Sequence, residues 1–114
     1  MVDCAGNFNT HGCGGGLPSH AYEYSYYNGI MTEEDYPYVA KQGVCKYDAS
    51  KVSVGVIGSF NITENDEPGM KMAVAQIGPV SISFTVESDF KSYSGGVYDN
   101  TQCRNTINDV NHDV

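Results

Sequence analysis

The residue types that do chemistry are sparse in this chain. His11, Cys13 and His20 lie near one another in sequence, but their spacing matches no usual zinc pattern, and no metal site is expected. Gly12-Cys13-Gly14-Gly15-Gly16 is glycine-rich, yet no Gly-Lys-Ser/Thr follows, which argues against a phosphate loop. The glycines instead let backbone approach backbone, or a bound peptide, closely. Ser19 and Ser81 have no visible base partner. Glu33-Glu34-Asp35 and Glu64-Asn65-Asp66-Glu67 fall at expected helix starts, where carboxylates offset the helix dipole. His112, taken alone, reads as an ordinary histidine as readily as a general acid/base.

The four cysteines, Cys4, Cys13, Cys45 and Cys103, contain no Cys-x-x-Cys pair. That spacing opposes a structural zinc site or a thioredoxin-type motif and favours disulfides made in an oxidising compartment. Asn61-Ile62-Thr63 is the one Asn-x-Ser/Thr sequon, and it points the same way, with Asn61 the candidate glycosylation site.

These residues must be positioned by elements of two textures. A helix is expected from Pro18, with Leu17, Ala21, Tyr24 and Asn28 on one face and Asn28-Gly29 ending it. Thr32 with Glu33, Glu34 and Asp35 reads as a short capped turn, stopped at Tyr36-Pro37-Tyr38. After Cys45 the pattern changes. Val52, Val54 and Val56 alternate as a strand, and Met70, Ala73, Val74 and Ile77 carry helical spacing closed by Gly78-Pro79. Residues 79–86 alternate with period two, the clearest strand pattern in the chain. Gly95-Gly96-Val97-Tyr98 reads as a turn into another short strand.

The 114 residues have the length of one small domain, and 40% hydrophobic content with nine tyrosines predicts a packed core. Six basic against fourteen acidic side chains give a formal net charge of −8. Nucleic acid and anionic membrane surfaces are therefore not expected as partners, since like charges would meet. No apolar run approaches the roughly 18 residues of a spanning helix, and the N-terminus lacks a signal-peptide pattern.

Several ordered segments resemble the papain-like cysteine protease family. They are Val2-Asp3-Cys4, Gly12-Cys13-Gly14-Gly15-Gly16-Leu17-Pro18, Ala21-Tyr22-Glu23-Tyr24 and Met31-Thr32-Glu33-Glu34-Asp35-Tyr36-Pro37-Tyr38. Cys45-Lys46-Tyr47, Gly78-Pro79-Val80-Ser81 and Val110-Asn111-His112 continue the series in the same order. Asn61-Ile62-Thr63 and Val110-Asn111-His112 look most like the cathepsin H and aleurain branch of that family.

The resemblance implies an α+β fold, the papain-like two-lobe fold, present here in part. Residues 1–45 would belong to a helical left lobe and residues 46–114 to a β-barrel right lobe. It also implies a cofactor-independent mechanism. A cysteine at a helix N-terminus gives its proton to a histidine, the thiolate attacks the peptide carbonyl, and the imidazolium protonates the leaving amine. His112 stands at the position of that acid/base. The family's nucleophile lies in a Cys-Gly-Ser-Cys-Trp context about 130–150 residues before the histidine, so it is expected upstream of Met1. Met1 itself stands where members have an internal leucine. The asparagine that orients the ring is expected beyond Val114, and the chain by itself is expected to be inactive.

Substrate contacts are implied for Gly15 and Gly16, which would hold the peptide backbone as a short antiparallel strand. Leu17 and Pro18 resemble one wall of the S2 pocket and Ser83 another, and the Asn111 carbonyl would accept from the substrate backbone. Asp113 departs from the family, whose members carry a small residue after the histidine; an aspartate in S2 would favour a basic side chain. The family's disulfides imply that Cys4 pairs with Cys45, a closure worth roughly 4 kcal/mol in the chain-entropy model. They leave Cys13 and Cys103 with partners outside the chain.

The parent is thus read as a monomeric peptidase acting on peptide or protein substrates in a lysosome or equivalent acidic vacuole, or after secretion, with cystatin-type inhibitors as further partners. Two other readings stay open: a non-catalytic papain-like homologue that binds peptides, and a small secreted module with all four cysteines joined internally.

Overall fold

A computed structural model describes residues 1–104 and 106–114, which form two compact units, Met1–Asp66 and Glu67–Val114. The first unit is organised around helix α1, Pro18–Asn28. Pro18 occupies the first turn, where its missing N–H costs no intrahelical bond. Gly29 ends the helix at φ 72°, ψ −177°, a backbone conformation open essentially to glycine, and its N–H returns to the Ser25 carbonyl at 2.9 Å.

The core of this unit lies along one side of α1. Tyr24 and Ser25 are buried there, beside Ala5 from a 3-10 turn at Ala5–Phe8. The Phe8 ring meets Tyr24 edge-to-face with centroids 5.5 Å apart. Tyr47 donates its hydroxyl to the Asn28 carbonyl at 2.6 Å, tying a later loop to the helix end. Strand β1, Ile30–Met31, pairs antiparallel with β2, Val52–Val54, with Ile30 opposite Val54 and Met31 opposite Val52. Asp48 introduces β2 by accepting the Ser50 N–H and hydroxyl, which forms the 3-10 turn Ala49–Lys51.

Cys4 and Cys45 form a disulfide across 41 residues, the pairing implied by the family resemblance. Cys13 and Cys103 are free and exposed, whereas a self-contained disulfide module would need them joined.

The second unit begins with helix α2, Glu67–Gln76. The N–H groups of Ile77 and Gly78 both return to the Ala73 carbonyl, closing the helix. Of its predicted apolar stripe, Ala73 is buried while Met70, Val74 and Ile77 are exposed. The other elements of this unit are a 3-10 turn and two strands of two residues each, too short to cover that face.

The strand predicted over residues 79–86 is much shorter than its alternation implied. Only Ser83–Phe84 forms β3, paired antiparallel with β4, His112–Asp113. Ile82 and Val114 extend the ladder with reciprocal backbone bonds of 2.8 and 2.9 Å. Alternation reports which way side chains face, while a strand also needs a partner backbone, and β4 offers one over this short stretch alone. The strand expected at Val97-Tyr98 does not form; Tyr98 instead donates its hydroxyl to Asp89 at 2.8 Å and packs on Phe90. No helix among the described residues is long and apolar enough to cross a membrane.

Candidate active site

The residues singled out for chemistry fall in both units. In the first, the glycine run is set by backbone bonds: the His11 N–H reaches the Gly15 carbonyl at 2.8 Å and the Gly14 N–H reaches the His11 carbonyl at 2.8 Å. Gly15 has φ 96°, a region side chains rarely occupy. A Cβ on Gly16 would approach the Thr10 side chain to 3.2 Å, so its absence is what admits Thr10. Gly15 and Gly16 are exposed, and the chain then enters α1 through exposed Leu17 and half-buried Pro18, the latter at the first helical position. This is a hydrogen-bonded turn with exposed glycine backbone, the physical requirement for holding an extended peptide by main-chain bonds.

In the second unit, β3 and β4 bring four of the candidates together. Ser83 lies opposite Asp113 and Phe84 opposite His112. The Ser83 hydroxyl donates to the Asp113 carboxylate across the strands. His112 is exposed, and its ring stands against Phe84 with centroids 6.1 Å apart and planes at 70°. Phe84 is itself held edge-to-face by Phe90 at 5.2 Å, and Phe90 stacks on Tyr93 at 5.7 Å. The aromatic cluster therefore backs one side of the imidazole.

Asn111, just before His112, is anchored by side chain and backbone. Its Oδ1 accepts the Val86 N–H at 2.9 Å, its Nδ2 donates to the Val86 carbonyl at 3.4 Å, and its own N–H donates to the Phe84 carbonyl at 3.2 Å. The side-chain amide thus continues the ladder where paired backbone runs out. Thr85 is buried, and its hydroxyl faces the carbonyls of Arg104 and Asp109 at 3.0 and 3.1 Å; with one proton it donates to one at a time. That contact holds the segment leading into β4. Asp109 is fixed in turn by the Thr106 hydroxyl and by Arg104, and these hold its carboxyl below the usual aspartate range.

Of the remaining candidates, Asn61 is exposed. His11 and Cys13 are exposed, and no group of three or more His, Cys, Asp or Glu among the described residues is arranged to hold a metal ion. Sequence reasoning passed over Phe84, Phe90 and Thr85. Phe84 and Thr85 could be seen only as neighbours of Ser83 on the alternating stretch, Phe90 lies beyond it in the turn Ser88–Ser92, and nothing in one sequence ties the three to His112.

Known proteins resemble this chain along its whole length. Residues 1–114 match the family model described as papain family cysteine protease. Pro-cathepsin H of Bos taurus is 53% identical, aligned with all of this chain and 34% of its own length. Cysteine proteinase 3 of Solanum lycopersicum is 52% identical over 100% of the chain and 32% of its own length, and a thiol protease aleurain-like protein of Arabidopsis thaliana is 50% identical with the same coverage. The chain spans about a third of the length of the curated relatives it matches. Among solved structures, digestive procathepsin L 3 of the Tenebrio molitor larval midgut superposes with a TM-score of 0.89 at 32% identity, over 98% of this chain and 36% of that one. Digestive procathepsin L2 from the same source gives 0.85 at 38% identity, over 98% and 35%. The partial papain-like α+β fold implied by the sequence is the fold observed.

Proposed function

The chain belongs to the papain family of cysteine proteases, and on that premise we propose that its full-length parent hydrolyses peptide bonds with a cysteine thiolate and the imidazole of His112. The observation that carries this reading is the family match over all 114 residues, which includes His112 on β4. A histidine in this role takes the thiol proton, pairs with the thiolate, and returns the proton to the departing amine. An exposed ring backed by packed aromatics suits that task, since it is held in place yet open to substrate.

Substrate contacts are assigned by the same reading. Gly15 and Gly16 bind the peptide backbone, and Leu17 and Pro18 touch one of its side chains. In the second unit the Asn111 carbonyl accepts from the substrate backbone, while Ser83 and Asp113 meet a side chain. Residues 1–45 contribute to the parent's helical lobe and residues 46–114 to its barrel lobe. Asn61 carries glycan, Cys13 and Cys103 bond cysteines elsewhere in the parent, and the nucleophile and orienting asparagine are likewise supplied elsewhere. The parent works as a monomer in a lysosome, an equivalent acidic vacuole or the extracellular space, open to cystatin-type inhibitors.

The test is hydrolysis of a fluorogenic peptide by the full-length parent. A thiol-alkylating reagent is expected to abolish turnover, and His112→Ala to lower kcat by about a thousandfold or more. Peptide binding without turnover by the unmodified parent points instead to a non-catalytic homologue. Turnover that survives both treatments sinks the thiolate mechanism.

A further inference from the structure

Among the described residues of the second unit, Ala73 and Thr85 are the buried ones, and Thr85 is the one with a polar side chain. Valine would fill the same space without a hydroxyl to strip of water. Burying the hydroxyl is unfavourable unless a hydrogen bond offsets it, so what that bond holds is the question.

The Thr85 hydroxyl stands 3.0 Å from the Arg104 carbonyl and 3.1 Å from the Asp109 carbonyl. Two carbonyl oxygens repel when no hydrogen lies between them, and the single Thr85 proton lets both approach one point. Arg104, Thr106 and Asp109 are also linked to one another. The Arg104 guanidinium meets the Asp109 carboxylate at 3.3 Å, the Thr106 hydroxyl donates to the same carboxylate, and the Asp109 N–H returns to the Thr106 carbonyl at 2.9 Å. Thr85 fastens these linked residues to the end of β3.

Position along the chain gives that fastening its consequence. Thr85 follows Phe84, the strand partner of His112, and Asp109 lies three residues before His112. The β3–β4 pair is two residues long, and so short a ladder fixes its own ends weakly. The path of the backbone into β4 is then set by what grips it just before the strand. Asn111 grips it at Val86, and Thr85 grips it at Asp109. Where the backbone enters β4 decides where the imidazole of His112 stands, and a misplacement of about 1 Å at a reacting group can cost about a hundredfold in rate.

We propose that Thr85 is a positioning residue for His112: its buried hydroxyl, holding Arg104 and Asp109 against the end of β3, sets the imidazole at the distance from the thiolate that proton transfer needs. The proposal rests on the peptidase reading above. Thr85 acts through the backbone of β4, without touching substrate.

The experiment follows kcat/KM of the full-length parent across pH for wild type, Thr85→Val and Thr85→Ser. Rates are referred to the sites titrated by an irreversible thiol-directed inhibitor, so unfolded protein does not count. Thiolate and imidazolium each favour the charged form of the other, so drawing them apart raises the thiol pKa and lowers that of the imidazole. Thr85→Val is expected to lower kcat/KM by about tenfold and to narrow the pH bell from both sides. Thr85→Ser keeps the hydroxyl and should restore rate and width together. A valine variant with the wild-type rate, a loss of height with both limbs in place, or a serine variant no better than valine overturns the proposal. Should Thr85→Val not fold, Thr85→Ala is read in its place; if neither folds, Thr85 serves the fold alone and the proposal fails. No turnover by the wild-type parent overturns the peptidase reading itself and this proposal with it, which separates the two failures.

Discussion

Tyr36 is the most connected side chain around the disulfide. Its hydroxyl donates to Asp3 Oδ2 at 2.8 Å, accepts the Lys46 N–H at 3.1 Å and lies 3.8 Å from Cys4 Sγ. The other Asp3 oxygen accepts the Gly43 N–H at 2.6 Å. The Gly43 N–H first, and the Tyr36 hydroxyl second, hold the Asp3 carboxyl below its ordinary value, while desolvation pushes the Tyr36 phenol up. A depressed carboxyl adds stability above its unfolded-state pKa of about 3.9, and that contribution is lost as pH falls through the lower folded value. Tyr36→Phe removes one of the two main causes, so Asp3 moves back toward its ordinary value and the pH-dependent contribution shrinks. The variant of the full-length parent should lose more stability relative to wild type at about pH 6 than at about pH 3, read by denaturant titration. An equal loss at both values rules out an ionised Asp3 as the partner that matters. The network joins residues 33 and 40 positions apart, and no spacing rule in a single sequence shows such a contact. The role proposed for His112 has a different source: its own type says little, and the proposal rests on the ordered segments around it. The hydroxyl of Ser83 on Asp113 was invisible until two strands set the register.

At the scale of elements, glycine placement does what hydrophobic pattern cannot. Gly29 turns the chain from α1 into β1, and a Cβ there would lie 2.4 Å from Val52 Cγ1 and 3.1 Å from the Val54 carbonyl oxygen. Its backbone is also in a region nearly closed to other residues. Gly29→Ala should therefore destabilise the full-length parent by about 2 kcal/mol or more. Gly55, whose added Cβ would meet nothing within 4 Å, serves as the control and should change stability little. Matching denaturation midpoints for the two alanine variants contradict this account of the turn. Both helices were legible because their boundaries carry chemical signals: Pro18 and Gly29 around α1, acidic residues and Gly78 around α2. The β elements were less so. Alternation over residues 79–86 marked the right stretch, but the length of β3 is set by β4, which lies 28 residues further on. Val97 and Tyr98 show the same dependence, since without a partner strand the hydroxyl of Tyr98 turns to Asp89 instead.

For the whole molecule, composition and burial point in different directions. Forty per cent of the residues are hydrophobic, yet the buried hydrophobic residues among those described are Ala5, Tyr24 and Ala73. Ile57 is 98% exposed, Val97 96% and Val44 83%, and the predicted core face of α2 is open at Val74 and Ile77. Apolar side chains left in water supply none of the driving force that offsets chain entropy. The Cys4–Cys45 bridge restrains the first unit, but the second, among the described residues, holds no disulfide and has Ala73 as its one buried hydrophobic residue. Expressed by itself, the 114-residue chain should bind a hydrophobic dye, melt without a sharp transition, and form mixed disulfides through exposed Cys13 and Cys103. Calorimetry together with thiol counting by mass spectrometry checks this. A single cooperative transition in a sample whose Cys13 and Cys103 are both unmodified would show that the two units hold enough core of their own. If Cys13 and Cys103 are bonded in the full-length parent, as proposed above, the same measurements there should give the opposite result.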